Sequence, residues 1–366
     1  AEFEKGLPFE LTSAQKKVIA EIKSDMVSTK PMHRLLQGDV GSGKTIVALY
    51  GCMLAISSGY QAAFMVPTEI LAEQHYESVL RLLSCAMRHG RKIKAALLTS
   101  SLKKKEKEKV YSDVRKGDVD ILIGTHALIQ EELGFKALSF VVIDEQHKFG
   151  VHQRLGILAK GVNPDCLIMT ATPIPRTLAM TIYADLDIST IDELPKGRVP
   201  VKTYLVNENR RQWVYSFIRE NLKSGRQAYV VYPIIEESQM LDLKAAKTMY
   251  EDLSRNVFAD YNVALIHGRV KGNERNSIMQ AFKEGEIDLL VSTVVVEVGI
   301  DVPNACVMVI EHAERFGLSQ LHQLRGRIGR GSLESHCILI SNVNTAEAKL
   351  RLKAMVSVSD GFKIAQ

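Results

Sequence analysis

Short runs rich in Val, Ile and Leu alternate with longer amphipathic stretches along almost the entire chain, and no other feature restricts the fold as tightly. The first six runs cover residues 34–37, 62–66, 93–98, 120–123, 140–143 and 166–170. A strand buried on both faces reads as a continuous apolar run, and a parallel connection needs a crossover long enough for a helix. The rhythm therefore predicts an α/β fold, a parallel sheet flanked by helices. It breaks over residues 185–200, where Asp192, Glu193, Pro195, Lys196, Gly197 and Pro200 cluster as in a linker. It resumes at residues 201–206, 228–232, 263–266, 288–291, 307–310 and 337–340, which predicts a second α/β lobe after the first. With 366 residues, 46% of them hydrophobic, the chain has material for two domains of ordinary size. The expected division is residues 1–190 and 191–345.

Charge and cysteine usage narrow the classes further. The 47 Lys and Arg against 42 Asp and Glu leave a net charge of +5, which permits a polyanionic partner without demanding one. The run Lys103 to Lys109 mixes signs at the head of an expected helix and reads as a solvated face rather than a phosphate grip. Cys52, Cys85, Cys166, Cys306 and Cys337 are odd in number and scattered, without a Cys-x-x-Cys pair, so neither a disulfide framework nor a zinc site is expected. No run of about 18 apolar residues occurs, and residues 1–5 lack the blocks of a signal peptide. The expectation is a soluble chain of the reducing cytoplasm, with no membrane partner.

Gly38-Asp39-Val40-Gly41-Ser42-Gly43-Lys44-Thr45 fits G-x-x-x-x-G-K-[ST] between an expected strand and an expected helix, the context that a phosphate-binding P-loop requires. Gly38, Gly41 and Gly43 let the backbone wrap a phosphate, and Ser42 sits among the amide groups that face the anion. Lys44 is expected to bridge the outer phosphates of ATP, and Thr45 to bind Mg²⁺. Farther on, the run 140–143 ends in Asp144-Glu145, at a strand end where a parallel sheet presents ligands. Asp144 is expected to hold Mg²⁺ through its water shell and Glu145 to polarise the attacking water. Alone, such a pair reads as a helix cap or a solvated turn; the upstream P-loop favours the catalytic role.

In the second lobe, Gln323-Leu324-Arg325-Gly326-Arg327-Ile328-Gly329-Arg330 alternates arginine with glycine. Phosphoryl transfer spreads negative charge over the γ-phosphate oxygens, and an arginine delivered there contributes about 10³ to 10⁵ in rate. Arg327 and Arg330, with Gln323, are the candidates; a basic helix facing solvent or bare phosphate is the plainer alternative.

Taken in order, these residues resemble the motor core of superfamily 2 helicases along nearly the entire chain. Leu11-Thr12 with Gln15 is similar to the Q-motif that reads adenine. Pro67-Thr68-Glu69-Ile70-Leu71-Ala72 with Gln74-His75 resembles motif Ia, and Gly124-Thr125-His126-Ala127-Leu128 the next DNA-contacting motif. Thr170-Ala171-Thr172-Pro173-Ile174-Pro175-Arg176 resembles the extended motif III of the RecG and Mfd branch. Residues 144–150, 192–198 and 232–238 look like RecG rather than Mfd. His267-Gly268-Arg269 and the stretch from Ser292-Thr293 through Gly299 and Asp301 resemble motifs IVa and V, and residues 320–331 motif VI.

The RecG resemblance implies two tandem RecA-like P-loop NTPase lobes, with ATP and Mg²⁺ as cofactors and branched or double-stranded DNA as partner. It puts Gly299 and Asp301 near the nucleotide, and Pro67, Thr68, Thr125, His126, Arg269 and Thr293 on DNA, where such contacts grip without reading sequence. It implies a bacterial, cytoplasmic, monomeric motor of DNA repair and recombination, driving fork reversal or Holliday junction migration as ATP draws the arginines of one lobe onto the nucleotide of the other. Two departures accompany it. Nothing before Leu7 encodes the family's wedge domain of OB-fold type, and residues 346–366 look like the start of a helical hairpin that is cut short, so a motor fragment is expected. Lys148 also stands where the family usually carries Arg, which weakens any bidentate contact there. The rivals are an Mfd-like motor acting on stalled RNA polymerase and an ATP-gated clamp that grips DNA without moving.

Overall fold

Strand β2 (Gln61–Met65) shows why the apolar runs lack polar alternation: Ala62 and Phe64 enter one packed layer, Ala63 and Met65 the other, and all four are fully buried. Strand β7 (Leu138–Ile143) repeats the arrangement, with Phe140 and Val142 on one side and Val141 and Ile143 on the other. A sheet covered by helices on both faces requires this pattern. In the computed structural model, residues 1–195 and 196–366 form two compact units. The structure describes residue 4 and residues 6–83, 87–88, 91–145, 149–171, 186–193, 199–233, 239–293, 302–329, 331, 333–342 and 345–357.

The first unit opens with helix α1 (Ser13–Met26), nucleated by a capping box in which the Gln15 N–H donates to Thr12 Oγ1 at 3.2 Å and the Thr12 N–H to Gln15 Oε1 at 2.9 Å. There follow β1 (His33–Gly38), α2 (Lys44–Ser57), α3 (Glu69–Leu83) after β2, and a short antiparallel hairpin of β3 (Met87–Arg88) and β4 (Arg91–Lys92). Then come β5 (Ala95–Leu98), α4 (Lys104–Lys116), β6 (Ile121–Gly124), a 3-10 turn at His126–Ile129, α5 (Val151–Leu158) after β7, β8 (Asp165–Thr170) and β9 (Asp187–Ile191). The sheet order is β5-β6-β2-β7-β8-β1-β9, parallel at every pairing. Helix α2 lies close to this sheet, since a Cβ added at Gly51 would come 2.4 Å from the Phe140 ring.

Strand β9 corrects the linker expected at residues 185–200. Arg34 to Gly38 pair in register with Asp187 to Ile191, so the first unit runs through this edge strand before any connection begins. Its alternating burial, with Ser189 and Ile191 inside, hid it among neighbouring Asp, Glu and Pro.

The second unit contains β10 (Lys202–Val206), α6 (Arg211–Lys223), β11 (Gln227–Tyr232), α7 (Gln239–Asp252), β12 (Val263–Ile266), α8 (Gly272–Glu284) and β13 (Leu289–Thr293). It continues with β14 (Ala305–Ile310), α9 (Leu318–Arg325), β15 (His336–Ile340) and α10 (Ala346–Ser357). Its sheet is again parallel, in the order β10-β15-β14-β11-β13-β12. Val214, Ile218 and Leu222, four residues apart on α6, pack on Val230, Val309 and Ile338. Two parallel-sheet lobes are thus the architecture, as the rhythm of the sequence predicts. Each of the twelve apolar runs overlaps a strand. Helix α10, expected to begin a separate hairpin, packs within the second unit: Leu352 and Met355 are fully buried, and Arg325 Nη1 donates to the Met355 carbonyl at 3.1 Å. Residues 358–366 lie outside the described residues.

Candidate functional site

In the first unit β1 ends at Gly38, and the chain turns through residues 39–43 into α2. Gly41 and Gly43 have φ of 76° and 86°, a conformation that side chains other than glycine rarely adopt. A Cβ at Gly38 would lie 2.5 Å from Ser42 Oγ, and one at Gly43 2.3 Å from Gln15 Nε2. The loop is therefore closed tightly enough to curl its amides around a small anion. Lys44 Nζ donates to the carbonyls of Gly38 at 2.8 Å and Asp39 at 3.0 Å, holding its charge over the turn. Ser42 Oγ is buried and has no hydrogen-bond partner among the described residues. A phosphate oxygen satisfies such a group, so the loop fits a nucleotide. Thr45 is half-buried in the first turn of α2.

Gln15 supports this loop. Its Nε2 donates to the Ser42 carbonyl at 2.8 Å while its Oε1 caps α1. Gln15, expected to read adenine, thus also links the first helix to the phosphate loop.

Asp144 and Glu145 follow β7, two strands from β1 in the sheet order, at the same carboxyl edge. The Asp144 N–H donates to the Met65 carbonyl at 2.9 Å, and Oδ1 accepts the Glu145 N–H at 3.0 Å. His75, on α3, donates from Nε2 to Asp144 Oδ2 at 3.2 Å. Burial pushes the Asp144 carboxyl up, but the hydrogen bond and charge of His75, the charge of Lys44 and the Glu145 amide outweigh it and hold the group below its ordinary value. It stays ionised, as a cation ligand must. Glu145 has φ of 50°, a left-handed strain that active-site residues commonly carry. Sequence reasoning placed His75 in a DNA-contacting motif; its hydrogen bond to Asp144 spans 69 residues and left no local signal. Gln146, His147, Lys148 and residues 172–176 lie outside the described residues. Among the described residues, no group of three or more His, Cys, Asp or Glu is arranged to hold a metal.

The residues expected on DNA fall at neighbouring strand ends. Pro67 and Thr68 follow β2, and Thr68 Oγ1 accepts the Leu71 N–H at 3.4 Å at the head of α3. Thr125 and His126 follow β6: Thr125 Oγ1 is buried without a partner among the described residues, and His126 is exposed with Nε2 3.1 Å from Ser100 Oγ. Ser100 follows β5, and the neighbouring Ser101 N–H donates to Glu69 Oε1 at 3.0 Å. At about 4.8 Å per strand, these three adjacent ends form a row about 10 Å long, and β1 lies about 14 Å beyond it.

In the second unit Arg269 is exposed after the edge strand β12, its N–H donating to His267 Nδ1 at 3.3 Å. Thr293 ends the adjacent β13, fully buried, with Oγ1 unpartnered among the described residues. Gln323 is half-buried on α9, and Arg327, just past the helix end, is only 7% exposed. Gly329, with φ of 71°, tucks against Val201, where a Cβ would come within 2.6 Å. Arg330, Gly299 and Asp301 lie outside the described residues. Sequence reasoning missed the anchor of this segment. Glu311, fully buried at the end of β14, accepts Arg211 Nη1 and Nη2 at 2.8 and 3.0 Å. Burial pushes the Glu311 carboxyl up and Arg211 pulls it back; the same contact raises Arg211, and two short parallel N–H bonds fix the pair as ionised.

Comparison with known proteins agrees with both units. Residues 12–181 match the DEAD/DEAH box helicase model, and residues 209–332 match the helicase conserved C-terminal domain. The ATP-dependent DNA helicase RecG of Thermotoga maritima is 52% identical over 365 residues, which is 100% of this chain and 46% of that protein. The RecG of Bacillus subtilis is 50% identical over 364 residues, 100% of this chain and 53% of that one. A solved structure of RecG bound to a three-way DNA junction superposes with a TM-score of 0.87 at 50% identity, covering 100% of this chain and 47% of that one. The chain spans about half the length of the curated relatives it matches.

Proposed function

The chain belongs to the RecG family of superfamily 2 helicases, and from that membership we propose that it is the ATP-driven motor of a translocase acting on branched DNA. The observation that carries the proposal is the division of one sheet edge in the first unit. The phosphate loop and the Asp144-Glu145 pair occupy the ends of β1 and β7, while Thr68, Thr125, His126 and Ser100 line the ends of β2, β6 and β5. Chemistry and track thus share a rigid platform. His75 joins them, since it sits on the helix headed by Thr68 and holds Asp144.

In this mechanism the 38–45 loop holds the phosphates of ATP, with Lys44 released from its carbonyls to bridge the outer ones. Thr45 and Asp144 are the residues that would hold Mg²⁺, which when bound offsets phosphate charge. Glu145 orients the attacking water and takes its proton. Arg327 and Arg330, with Gln323, stabilise the charge that develops on the transferred phosphoryl group. Gly299 and Asp301 are assigned to the nucleotide by resemblance. Pro67, Thr68, Thr125, His126, Arg269 and Thr293 grip DNA phosphates in alternation, and residues 346–366 begin the element that passes lobe motion to DNA. The Mfd-like and gated-clamp readings gain no observation of their own.

Steady-state ATP hydrolysis at low salt tests the proposal, run without DNA and with single-stranded, duplex and three-way junction DNA, beside Glu145→Gln. Stimulation by duplex or junction DNA, abolished in the variant, is expected. Hydrolysis indifferent to every DNA, or undiminished in the variant, overturns it.

A further inference from the structure

Lys104, Lys107, Tyr111 and Arg115 recur at helical spacing on α4, and Lys116 stands beside the last of them. This face forms one wall of a groove of about 630 Å³, whose opposite wall includes Ser100, Gln130 and Glu132. Four cations line it, Lys104, Lys107, Arg115 and Lys116, against two carboxylates, Glu108 and Glu132. Tyr111 is neutral near pH 7 as any tyrosine is, and burial and then Glu132 push its hydroxyl further above the ordinary value.

The groove is preformed. Lys107 Nζ donates to the Ser100 carbonyl at 2.8 Å and Arg115 Nη2 to the Glu132 carbonyl at 3.0 Å, so two cations on the helix tie it to the opposite wall. Lys104 and Lys116 remain exposed at the ends. Twelve residues of helix set them about 18 Å apart, about five 3.4 Å steps of a DNA strand. The groove also begins where the strand-end row stops. Ser100 follows the edge strand β5 and reaches His126 at 3.1 Å, so one residue belongs to both features. An elongated cationic channel continuous with such a row suits an extended phosphate chain better than a compact anion.

We propose that the groove between α4 and the 126–132 segment is a second phosphate-backbone site, which carries DNA outward from the strand-end row past the edge of the sheet. The inference rests on the row itself being a DNA track. It assigns the Lys103 to Lys109 run, whose mixed charges read as a solvated face, a part in binding.

The test is fluorescence anisotropy of a long labelled duplex over about 50 to 200 mM salt. Compared are the parent chain, Lys104→Ala/Lys116→Ala, and Lys23→Ala/Lys30→Ala, which removes the same charge from exposed positions at and just beyond the end of α1. Each lost phosphate contact lowers the slope of log affinity against log salt by about 0.9. The groove variant is expected to lose about 1.8 from that slope and on the order of tenfold in low-salt affinity, while the Lys23/Lys30 control stays near the parent. A groove variant that matches the parent, or is matched by the control, overturns the groove. A polyglutamate peptide that loses binding in the groove variant while duplex binding is unchanged also overturns it, in favour of an acidic polypeptide. A parent with no salt-dependent duplex binding sinks the DNA reading itself, a result distinct from the others.

Discussion

The two units use one backbone device for opposite ends. After β7 the chain places Asp144, whose N–H donates to the Met65 carbonyl at 2.9 Å, and then Glu145 with φ of 50°. After β14 it places Glu311, whose N–H donates to the Val231 carbonyl at 2.9 Å, and then His312 with φ of 48°. An acid at a strand end followed by a left-handed residue thus occurs in both. In the first unit the acid faces Lys44 and His75 beside the phosphate loop, and both hold it ionised against the cost of burial. In the second it is fully buried, gripped by Arg211, and anchors the segment that leads to Arg327. The partner, not the turn, sets the two acids apart.

The sharpest way to break this comparison is to ask whether the second unit contributes chemistry at all. Arg327→Ala is expected to lower kcat by about 10³ or more, with a smaller change in ATP affinity, because the contact forms mainly in the transition state. Steady-state kinetics with saturating DNA reads both. If ATP binding weakens while kcat holds, Arg327 is a binding residue, and the second unit serves as anchor only.

Next in size is the anchor itself. Arg211→Met leaves the Glu311 carboxylate buried without its partner, and breaking a buried pair costs about 3–5 kcal/mol. The chain's one tryptophan, Trp213, sits two residues along α6 and reports on the second unit alone. Its fluorescence transition in denaturant should move to lower concentration in the variant, while the part of the far-ultraviolet signal arising from the first unit keeps its midpoint. A common shift of both would mean that the pair supports the entire chain.

These cases also show what was legible in the sequence. Contiguous features were: the phosphate loop, the strands buried on both faces and the arginine-glycine alternation each sit within a few residues, where spacing alone carries the signal. Features made by distant residues were not. Arg211 and Glu311 are 100 residues apart, and His75 and Asp144 are 69 apart; only the sheet order brings each pair together. Strand β9 was lost for a different reason. As an edge strand it buries only Ser189 and Ile191 and exposes Asp187 and Thr190, and in sequence it runs into Asp192, Glu193 and Pro195, so its local composition is that of a connection.

A smaller effect separates the supports of the two sites. The phosphate loop relies on glycine, whereas the Glu311 anchor relies on charge. Gly43→Ala must accept φ of 86° and a Cβ at 2.3 Å from Gln15 Nε2. The strained conformation costs about 1–3 kcal/mol, and the collision pushes Gln15 off the Ser42 carbonyl. ATP affinity, measured by calorimetry with a non-hydrolysable analogue, should fall about tenfold or more, since 1.4 kcal/mol is tenfold. Unchanged affinity would show that the loop reforms around ligand without its strut.

The smallest effect tests that strut from its far end. Among the described residues Thr12 makes no hydrogen bond to the phosphate loop, yet its hydroxyl caps α1 and its N–H orients the Gln15 amide that reaches Ser42. Removing an N-cap hydroxyl costs about 1 kcal/mol. Thr12→Ala should therefore loosen the first unit by about that amount while Trp213 keeps reporting an unaltered second unit. Gln15 can keep its bond to Ser42 only if α1 holds its first turn, so nucleotide affinity should fall by severalfold at most, and Thr12→Ser should restore it. A loss of stability without any loss of affinity would reduce the capping box to a fold element. A matched loss, rescued by serine, would make the first turn of α1 a working part of the nucleotide site, for which the second unit offers no counterpart among the described residues.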